Sequence, residues 1–496
     1  MYLIAAIILI AVVLMAALFR QWNMPLIIIA LGMGIVFGSD VTGLVYFDDA
    51  LMTQKLANFA LIFILFGGGF GTRRQDLDPV VVPSLSLATL GVLATAFVSA
   101  AALHLLLGWE PLNALLMGVI VSSTDAAAIF SILRTRAINQ RLASTIEIES
   151  AANDPMAIIA TTFVVHLFVA EAGGPLKTLA SFAWLLIGGA AIGLIVGRIG
   201  CLLFERIKYV DRGYFYILTI GVILLGFGAA DLLGASGMLS AFFAGHVMGN
   251  GKFPYKSGVS TFVGALSQIA NVALFVLLGL LVFPKEFSQI LWPGVVVFLV
   301  ITFIGRPVAV ILCTLFGKFS WRDRVFMSWS GIRGAVPIVL GTYPVAAGID
   351  NGHQIFNTVF FAVVLSVTVQ GTTIGKLADL LRLSVRSKPK PRQAMELVTI
   401  HDSDLELVEL AVDEEYCTGE ARISTLDLPR GTTITMINRR EEIIAPRGST
   451  IIIPGDVLFI LTRVDEVERV SAEILGRFSG DAEGRESSRP PGDKSC

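Results

Sequence analysis

Charge is scarce in this chain of 496 residues. Asp, Glu, Lys and Arg make up 15% of it, whereas a soluble globular protein contains about 25%. Hydrophobic residues make up 55%, and the mean hydropathy is +0.76. The charge is also uneven, because residues 383–496 contain 36 of the 76 charged residues. This composition excludes a soluble enzyme and predicts one region in lipid and another in water.

Neither region has the basic excess of a nucleic-acid-binding protein. The first 382 residues carry 22 basic and 18 acidic side chains, and the remainder carries 15 and 21. Cysteine is equally scarce: the four are far apart, form no Cys-x-x-Cys pair and have no histidine at metal-ligand spacing. We therefore expect no nucleic-acid partner, no structural metal and no cofactor.

Uninterrupted apolar runs dominate residues 1–382. The first run follows Met1 without a charged leader or a small-residue cleavage site, so we interpret it as a retained span. Runs of roughly 20 residues predict an all-α polytopic membrane protein of about 13 transmembrane helices. The predicted spans are 2–19, 24–38, 55–71, 80–107, 111–133, 143–170, 178–204, 212–232, 236–250, 258–283, 289–317, 323–348 and 353–381.

Basic residues predict the orientation of these spans. Fourteen Lys and Arg residues fall in the short loops on one side, whereas the other side holds little more than Lys55, Lys177 and Lys285. Cytoplasmic loops are enriched in basic residues, so we expect the N-terminus outside and the C-terminal region in the cytoplasm. The expected location is the inner membrane of the cell.

The C-terminal region has strand periodicity and turn chemistry. Turns at Pro429-Arg430-Gly431 and Pro454-Gly455-Asp456 separate β-rich segments. We predict a transmembrane domain at 1–382, a basic linker at 383–393 and a small α/β cytoplasmic domain at 394–478. Residues 479–496 are rich in Gly, Ser, Pro and charge, which predicts a disordered tail.

Three carboxylates fall inside predicted spans. Asp125 lies in the fifth span, and Glu149 and Asp154 lie in the sixth. An ionisable group there costs at least ~2.5–3.5 kcal/mol, so it indicates an ion or proton path, although a polar tie between helices is the alternative. Counting residues from the span ends places Asp125 and Asp154 near the midplane, and Ser150 shares a helix face with Asp154.

The backbone near these carboxylates is predicted to be irregular. Ser122-Ser123-Thr124-Asp125 is a run of poor helix formers, and Pro155 frees the carbonyl of Ala151. The twelfth span carries Gly331-Ile332-Arg333-Gly334, seven spans after the fifth. Two interrupted helices in corresponding positions indicate two inverted repeats, in which these helices cross at a midplane binding site.

Arg333 needs an anionic partner at this depth, and Glu149 is the predicted one. Arg306 is another cation within a span, but it lies within about three turns of the predicted cytoplasmic end. We therefore expect its side chain to reach the interface.

Thr124-Asp125, Glu149-Ser150 with Asn153-Asp154, and Gly331 to Gly334 together resemble cation:proton antiporters of the sodium/proton and potassium/proton exchanger superfamily. The run from Glu149 to Ala157 is most similar to the NhaP-type potassium/proton branch. The resemblance implies a homodimer with an elevator mechanism, exchanging K⁺ or Na⁺ for H⁺. Asn153 followed by one carboxylate resembles the electroneutral members.

The resemblance also implies roles for individual residues. Asp154 is the shared cation and proton carboxylate, so the monovalent cation binds at Asp154 and Asp125. The supporting cation ligands are Thr124 and Ser150, whereas Asn153 holds the unwound region and Glu149 pairs with Arg333. Some sodium-selective relatives place a glutamate near Phe66-Gly67-Gly68-Gly69, and its absence here leaves potassium open.

The segment 395–470 resembles TrkA-C regulatory domains, mainly through Pro454-Gly455-Asp456 and the strand after it. A small regulatory ligand at a dimer interface is consistent with that resemblance. A ligand-gated potassium channel or efflux pathway is the alternative function, but the sequence has no Thr-Val-Gly-Tyr-Gly filter. An intramembrane hydrolase would need a Gly-x-Ser-x-Gly or His-Glu-x-x-His motif, and neither occurs. Antiport is favoured.

Overall fold

A computed structural model gives the fold of most of the chain. It describes residues 2–19, 26–47, 49–72, 74, 80–125, 137–169, 175–207, 212–282, 287–315, 317, 319–385, 393–396, 405–412, 420–439, 442–463 and 466–478. The chain divides into two compact units, Met1–Ser384 and Val385–Cys496. The predicted tail, most of the basic linker and the inner part of the fifth span lie outside the described residues.

The first unit is helical, as its apolar runs predict. Its helices are α1 Tyr2–Leu18, α2 Leu26–Phe37, α3 Ala50–Gly71, α4 Val81–Ser86, α5 Val92–Leu107, α6 Pro111–Ile120, α7 Gln140–Val169, α8 Pro175–Arg206, α9 Arg212–Leu232, α10 Gly237–Asn250, α11 Lys256–Leu280, α12 Phe287–Val300, α13 Arg306–Thr314, α14 Trp321–Trp329, α15 Ala335–Ala346 and α16 Gly352–Leu380.

Eight helical stretches among the described residues are long and apolar enough to cross a membrane, and four shorter apolar helices accompany them. The predicted polytopic helical fold is therefore confirmed, whereas the count of thirteen spans remains a prediction. The fifth and twelfth predicted spans differ from the rest, because helix α6 ends at Ile120 and the twelfth span is divided into α14 and α15.

Two long rods show the pseudo-symmetry of the predicted repeats. Helices α4 and α5 are joined through a five-residue π-helical turn, Leu87–Gly91, and α12 and α13 through another, Ile301–Gly305. Each π-helical turn packs against the rod of the other repeat. Gly305 permits this approach, because a Cβ there would collide with the hydroxyl of Ser99 on α5.

The second unit contains an antiparallel sheet and one helix. Its strands are β3 Gln393–Glu396, β4 Leu405–Ala411, β5 Ala421–Arg422, β6 Thr433–Arg439, β7 Glu442–Ile444, β8 Ile451–Ile452 and β9 Val457–Arg463, and its helix is α17 Val467–Gly476; the short strands β1 Ala137–Ile138 and β2 Ser384–Val385 precede them. The sheet order is β3-β4-β9-β6-β7, and β5 pairs with β8. Alternate residues of β9, such as Leu458 and Ile460, are buried beside Val470 and Ile474 of α17.

The Pro454-Gly455-Asp456 turn fixes the start of β9. Gly455 adopts φ +92°, a conformation that favours glycine. The buried carboxylate of Asp456 accepts hydrogen bonds from Nε and Nη2 of Arg439, both at 2.8 Å, and from the backbone N–H of Ile453 at 3.0 Å. The hydrogen bonds that Arg439 donates to Asp456 raise the pKa of Arg439. Turn and sheet are thus tied by a fork of charge-assisted bonds.

Candidate cation and proton site

Two helix breaks meet inside the membrane unit. Residues 121–125 follow α6 without helical structure, and residues 330–334 separate α14 from α15. The backbone N–H of Asp125 donates to the carbonyl oxygen of Ile332 at 2.7 Å, so one break is bonded directly to the other. Ser122 reinforces the first break, because its hydroxyl donates to the carbonyl of Val119 at 2.7 Å.

Glycine allows the close approach of the two breaks. A Cβ on Gly334 would lie 2.6 Å from Cβ of Asp125, which is closer than real carbon atoms pack. Gly331 likewise makes room for the side chain of Arg306, because a Cβ at position 331 would lie 2.9 Å from Nε of Arg306. The Gly-Ile-Arg-Gly sequence therefore admits two charged groups on either side of the break.

Arg333 does not form the predicted ion pair. Its Nη1 donates to the carbonyl oxygens of Ser122 and Ser123, both at 2.7 Å, and its side chain is 4% exposed. These carbonyls lack helical partners because the helix has ended. Arg333 thus stabilises the negative end of α6 and links the two breaks by a second route.

Glu149 pairs with Arg306 instead. The Glu149 carboxylate accepts from both terminal nitrogens of Arg306, one of them, Nη2, at 2.9 Å, and Nη2 also donates to the carbonyl of Met327 at 3.3 Å. Arg306 is 3% exposed and Glu149 is fully buried. The expectation that Arg306 reaches the interface is therefore wrong: the π-helical turn before it and the space at Gly331 let its side chain point into the protein.

Helix α7 brings the predicted polar ligands to the first break. Nδ2 of Asn153 donates to the hydroxyl of Thr124 at 2.7 Å, and that hydroxyl lies 3.1 Å from the hydroxyl of Ser150. All three side chains are buried. Residues 26 and 29 positions apart in sequence are thus bonded together.

Asp154 and Asp125 complete this cluster. Both side chains are partly accessible within the membrane unit, and the two carboxylates interact electrostatically. Oδ1 of Asn153 is buried and accepts no hydrogen bond from the described part of the protein. This amide oxygen, the two carboxylates and the hydroxyls of Thr124 and Ser150 are hard oxygen donors, the kind that suits an alkali cation.

Comparison with known proteins gives the family. The profile described as "Sodium/hydrogen exchanger, transmembrane" matches residues 6–379, and the TrkA-C domain profile matches residues 419–475. The chain belongs to the sodium/hydrogen exchanger family. The resemblance inferred from Asp125, Asp154 and Arg333 is therefore confirmed at the level of the family.

Relatives within this exchanger family are antiporters by name. The chain is 34% identical to the K(+)/H(+) antiporter NhaP2 of Shewanella oneidensis, covering 97% of this chain and 85% of the relative. It is 30% identical to the K(+)/H(+) antiporter NhaP of Alkalimonas amylolytica, covering 92% and 80%. The solved sodium proton antiporter MjNhaP1 of Methanocaldococcus jannaschii at pH 8 superposes with a TM-score of 0.66 at 25% identity, covering 77% of this chain and 99% of that one.

Membership of the exchanger family makes this chain a multi-pass monovalent cation/proton antiporter with a TrkA-C domain. Sequence reasoning located both breaks but missed Arg306 as the partner of Glu149. The Arg306-Pro307 pair in an apolar run was the available signal, since a cation well inside a membrane span needs a partner unless its side chain can reach water.

Proposed function

We propose that this protein exchanges one K⁺ for one H⁺, with Asp154 as the group that carries either ion. The arrangement of Asp154 beside Asp125, at the point where Asp125 N–H bonds to the carbonyl of Ile332, supports this most directly. Thr124, Ser150 and Oδ1 of Asn153 are the supporting cation ligands. Mutual exclusion of cation and proton at one carboxylate couples the two fluxes.

The preference for K⁺ over Na⁺ rests on the names of the NhaP2 and NhaP relatives and on the glycine run near the C-terminal end of α3. Because selectivity depends on ligand distances and field strength, it must be measured by transport assays with each cation. Dequenching of a pH-sensitive dye in proteoliposomes, titrated separately with K⁺, Na⁺, Rb⁺ and Li⁺, tests the proposal. Half-saturation at lower K⁺ than Na⁺ is expected, and the reverse order would contradict the assignment.

We also propose an elevator motion, in which one group of helices carries the site past another. Glycines bring backbones together inside each group: a Cβ on Gly189 or Gly197 of α8 would lie 2.7 or 2.8 Å from carbonyl oxygens of α10 or the residue before it. Glycines of α10 approach α3 in the same way, and those of α2 and α11 approach each other.

Such close contacts stay within the groups in the described part of the chain. Helices α2, α3 and α8 to α11 form one set, and α4 to α7 with α12 to α16 form the other. Between them, the Tyr343 hydroxyl of α15 donates to Oδ1 of Asn58 on α3 at 3.0 Å. Helices without interlocked backbones can slide as bodies, which supports the elevator.

The orientation and assembly are part of the same proposal. The N-terminus lies outside the inner membrane, the TrkA-C domain lies in the cytoplasm, and two copies form a homodimer in the lipid bilayer. The basic loop asymmetry supports the orientation. Cross-linking of single cysteines on α1 in native membranes tests the dimer, and a monomeric mass in lipid nanodiscs would contradict it.

We expect the exchange to be electroneutral. One carboxylate alternates between one proton and one cation, and Asn153 adds no titrating group. A membrane potential imposed with an ionophore at fixed ion gradients should leave the rate nearly unchanged, while a change in the pH gradient should alter it. Strong voltage dependence would identify a second titrating group, with Asp125 the first suspect, or favour a channel.

The TrkA-C domain is expected to regulate transport. A chain that ends after Leu383 should keep Asp154-dependent exchange but change its pH midpoint, apparent cation affinity or maximal rate. A regulatory ligand can shift the membrane unit only by the difference in its binding between two states, typically ~1–3 kcal/mol. Proteoliposome assays of both chains measure the change, and Asp154→Asn in the truncated chain is the control.

A cavity of about 420 Å³ in the TrkA-C unit, lined by residues that include Arg430, Thr432 and Thr462, offers room for a small ligand. A dimeric, inserted truncation with no transport would make the domain obligatory. A truncation indistinguishable from the full chain under all conditions would restrict the domain to assembly.

A further inference from the structure

The break between α14 and α15 separates one particular donor and acceptor. In a continuous α-helix the N–H of Arg333 would bond to the carbonyl oxygen of Trp329, four residues earlier. Helix α14 ends at Trp329 and α15 begins at Ala335, so this bond is not made. Arg333 is buried and Trp329 is half-buried, and an unpaired backbone group away from water costs free energy.

Two side chains of α16 occupy the place of the missing bond. Nε2 of Gln370 donates to the carbonyl of Trp329 at 3.0 Å, and the N–H of Arg333 donates to the hydroxyl of Ser366 at 3.1 Å. The Ser366 hydroxyl in turn donates to Oε1 of Gln370. Ser366 and Gln370 are 2% and 1% exposed and stand four residues apart, on one face of α16.

We propose that Ser366 and Gln370 are positioning residues that hold this break open and thereby shape the cation site. Arg333 holds the carbonyls of Ser122 and Ser123, and Ile332 accepts from Asp125, so the residues between Trp329 and Arg333 set the position of the opposite break. The side chains of Ser366 and Gln370 form a bridge between Trp329 and Arg333. Through this bridge, a third helix, α16, controls the depth and angle of Asp125. This inference rests on the proposed antiport site.

The bridge differs from ordinary hydroxyl bonding in a helix. Thr358, also buried on α16, donates to the carbonyl of Gln354 of its own helix at 2.7 Å. Ser366 instead accepts from a residue of another segment and donates to Gln370. Each polar atom of the pair that faces the break has a partner, which is the arrangement that specifies one geometry.

Ser366→Ala and Gln370→Met remove the bridge, whereas Thr358→Val removes a buried hydroxyl of the same helix that takes no part in it. In proteoliposomes titrated with K⁺, the first two variants should raise the half-saturating K⁺ concentration by about tenfold, because Asp125 loses its fixed position. The maximal rate should fall much less. Thr358→Val should match the wild type, and Ser366→Thr, which keeps the hydroxyl, should restore the affinity.

Amide hydrogen exchange of residues 330–334 in the full chain gives a second readout that needs no transport. Amide hydrogen exchange of these residues should be faster in Ser366→Ala than in the wild type and unchanged in Thr358→Val. Equal amide hydrogen exchange in the wild type, Ser366→Ala and Thr358→Val would overturn the proposed role of the bridge. An unchanged K⁺ titration of a folded Ser366→Ala variant would do the same. Failure of the wild type to show Asp154-dependent exchange would overturn the proposed function alone, because the amide measurement is independent of it.

Discussion

Asp154→Asn is expected to reduce cation/proton exchange to the level of vesicles without protein. An amide has the size of the carboxylate, but it can neither release a proton nor neutralise a cation, so both half-reactions are lost together. The measurement is dye dequenching on addition of K⁺ or Na⁺ to acid-loaded proteoliposomes, with the amount of inserted protein determined for each variant. Asp125→Asn should also impair transport severely, because Asp125 carries the bond to Ile332 and the second carboxylate.

The matched control is Asp231→Asn, the same chemical change at an exposed position near the end of α9. It should transport like the wild type. More than a small residual activity in well-inserted Asp154→Asn would remove Asp154 from its proposed role. Loss of activity in Asp231→Asn as well would show that the assay reports folding or insertion instead.

Glu149→Gln and Arg306→Met are each expected to lower the stability of the membrane unit strongly. Removing one partner leaves a buried charge without compensation, at a cost of about 3–5 kcal/mol. The double variant should be milder than the sum of the two, because no charge is then stranded. Apparent melting temperatures of purified protein in detergent, followed by tryptophan fluorescence, give this double-mutant cycle.

A control double-mutant cycle tests Glu149 together with Arg333, the partner predicted from the sequence, in place of Arg306. Arg333 bonds to the carbonyls of Ser122 and Ser123, so Glu149→Gln combined with Arg333→Met should show no comparable compensation. Coupling of Glu149 to Arg333 instead of Arg306, or single variants that melt like the wild type, would contradict the ion pair in the structure.

The helices of the membrane unit could be predicted from the sequence because local chemistry determines them. Apolar runs of the length of a bilayer have one stable form in lipid, because helices satisfy their own backbone groups. Helices α9 and α10 therefore begin and end within a residue of their predicted bounds. The turn at Pro454-Gly455-Asp456 predicted the start of β9 for an equally local reason, since the positive φ of Gly455 ends one strand before the next begins.

The sequence also predicted both helix breaks. The Ser-Ser-Thr run after Val121 weakens the helix within a few residues, and Gly331 and Gly334 do the same in the twelfth span. Those are properties of neighbouring residues, so no knowledge of other helices was needed. The expectation that Asp125 and Asp154 both lie near the midplane came from counting at a fixed rise per residue.

The pairing of charges was decided by the tertiary structure alone. Arg306 and Arg333 are both buried cations, and position along the spans favoured Arg333 as the partner of Glu149, whereas the structure pairs Glu149 with Arg306. The choice depends on which carbonyls the end of α6 leaves without partners, and Arg333 satisfies those while Arg306 passes through the space at Gly331. The roles of Ser366 and Gln370 were hidden for the same reason. A side chain that completes another helix's missing hydrogen bond can be recognised only when the two helices are placed side by side, because the energy lies in a contact between residues about 40 positions apart.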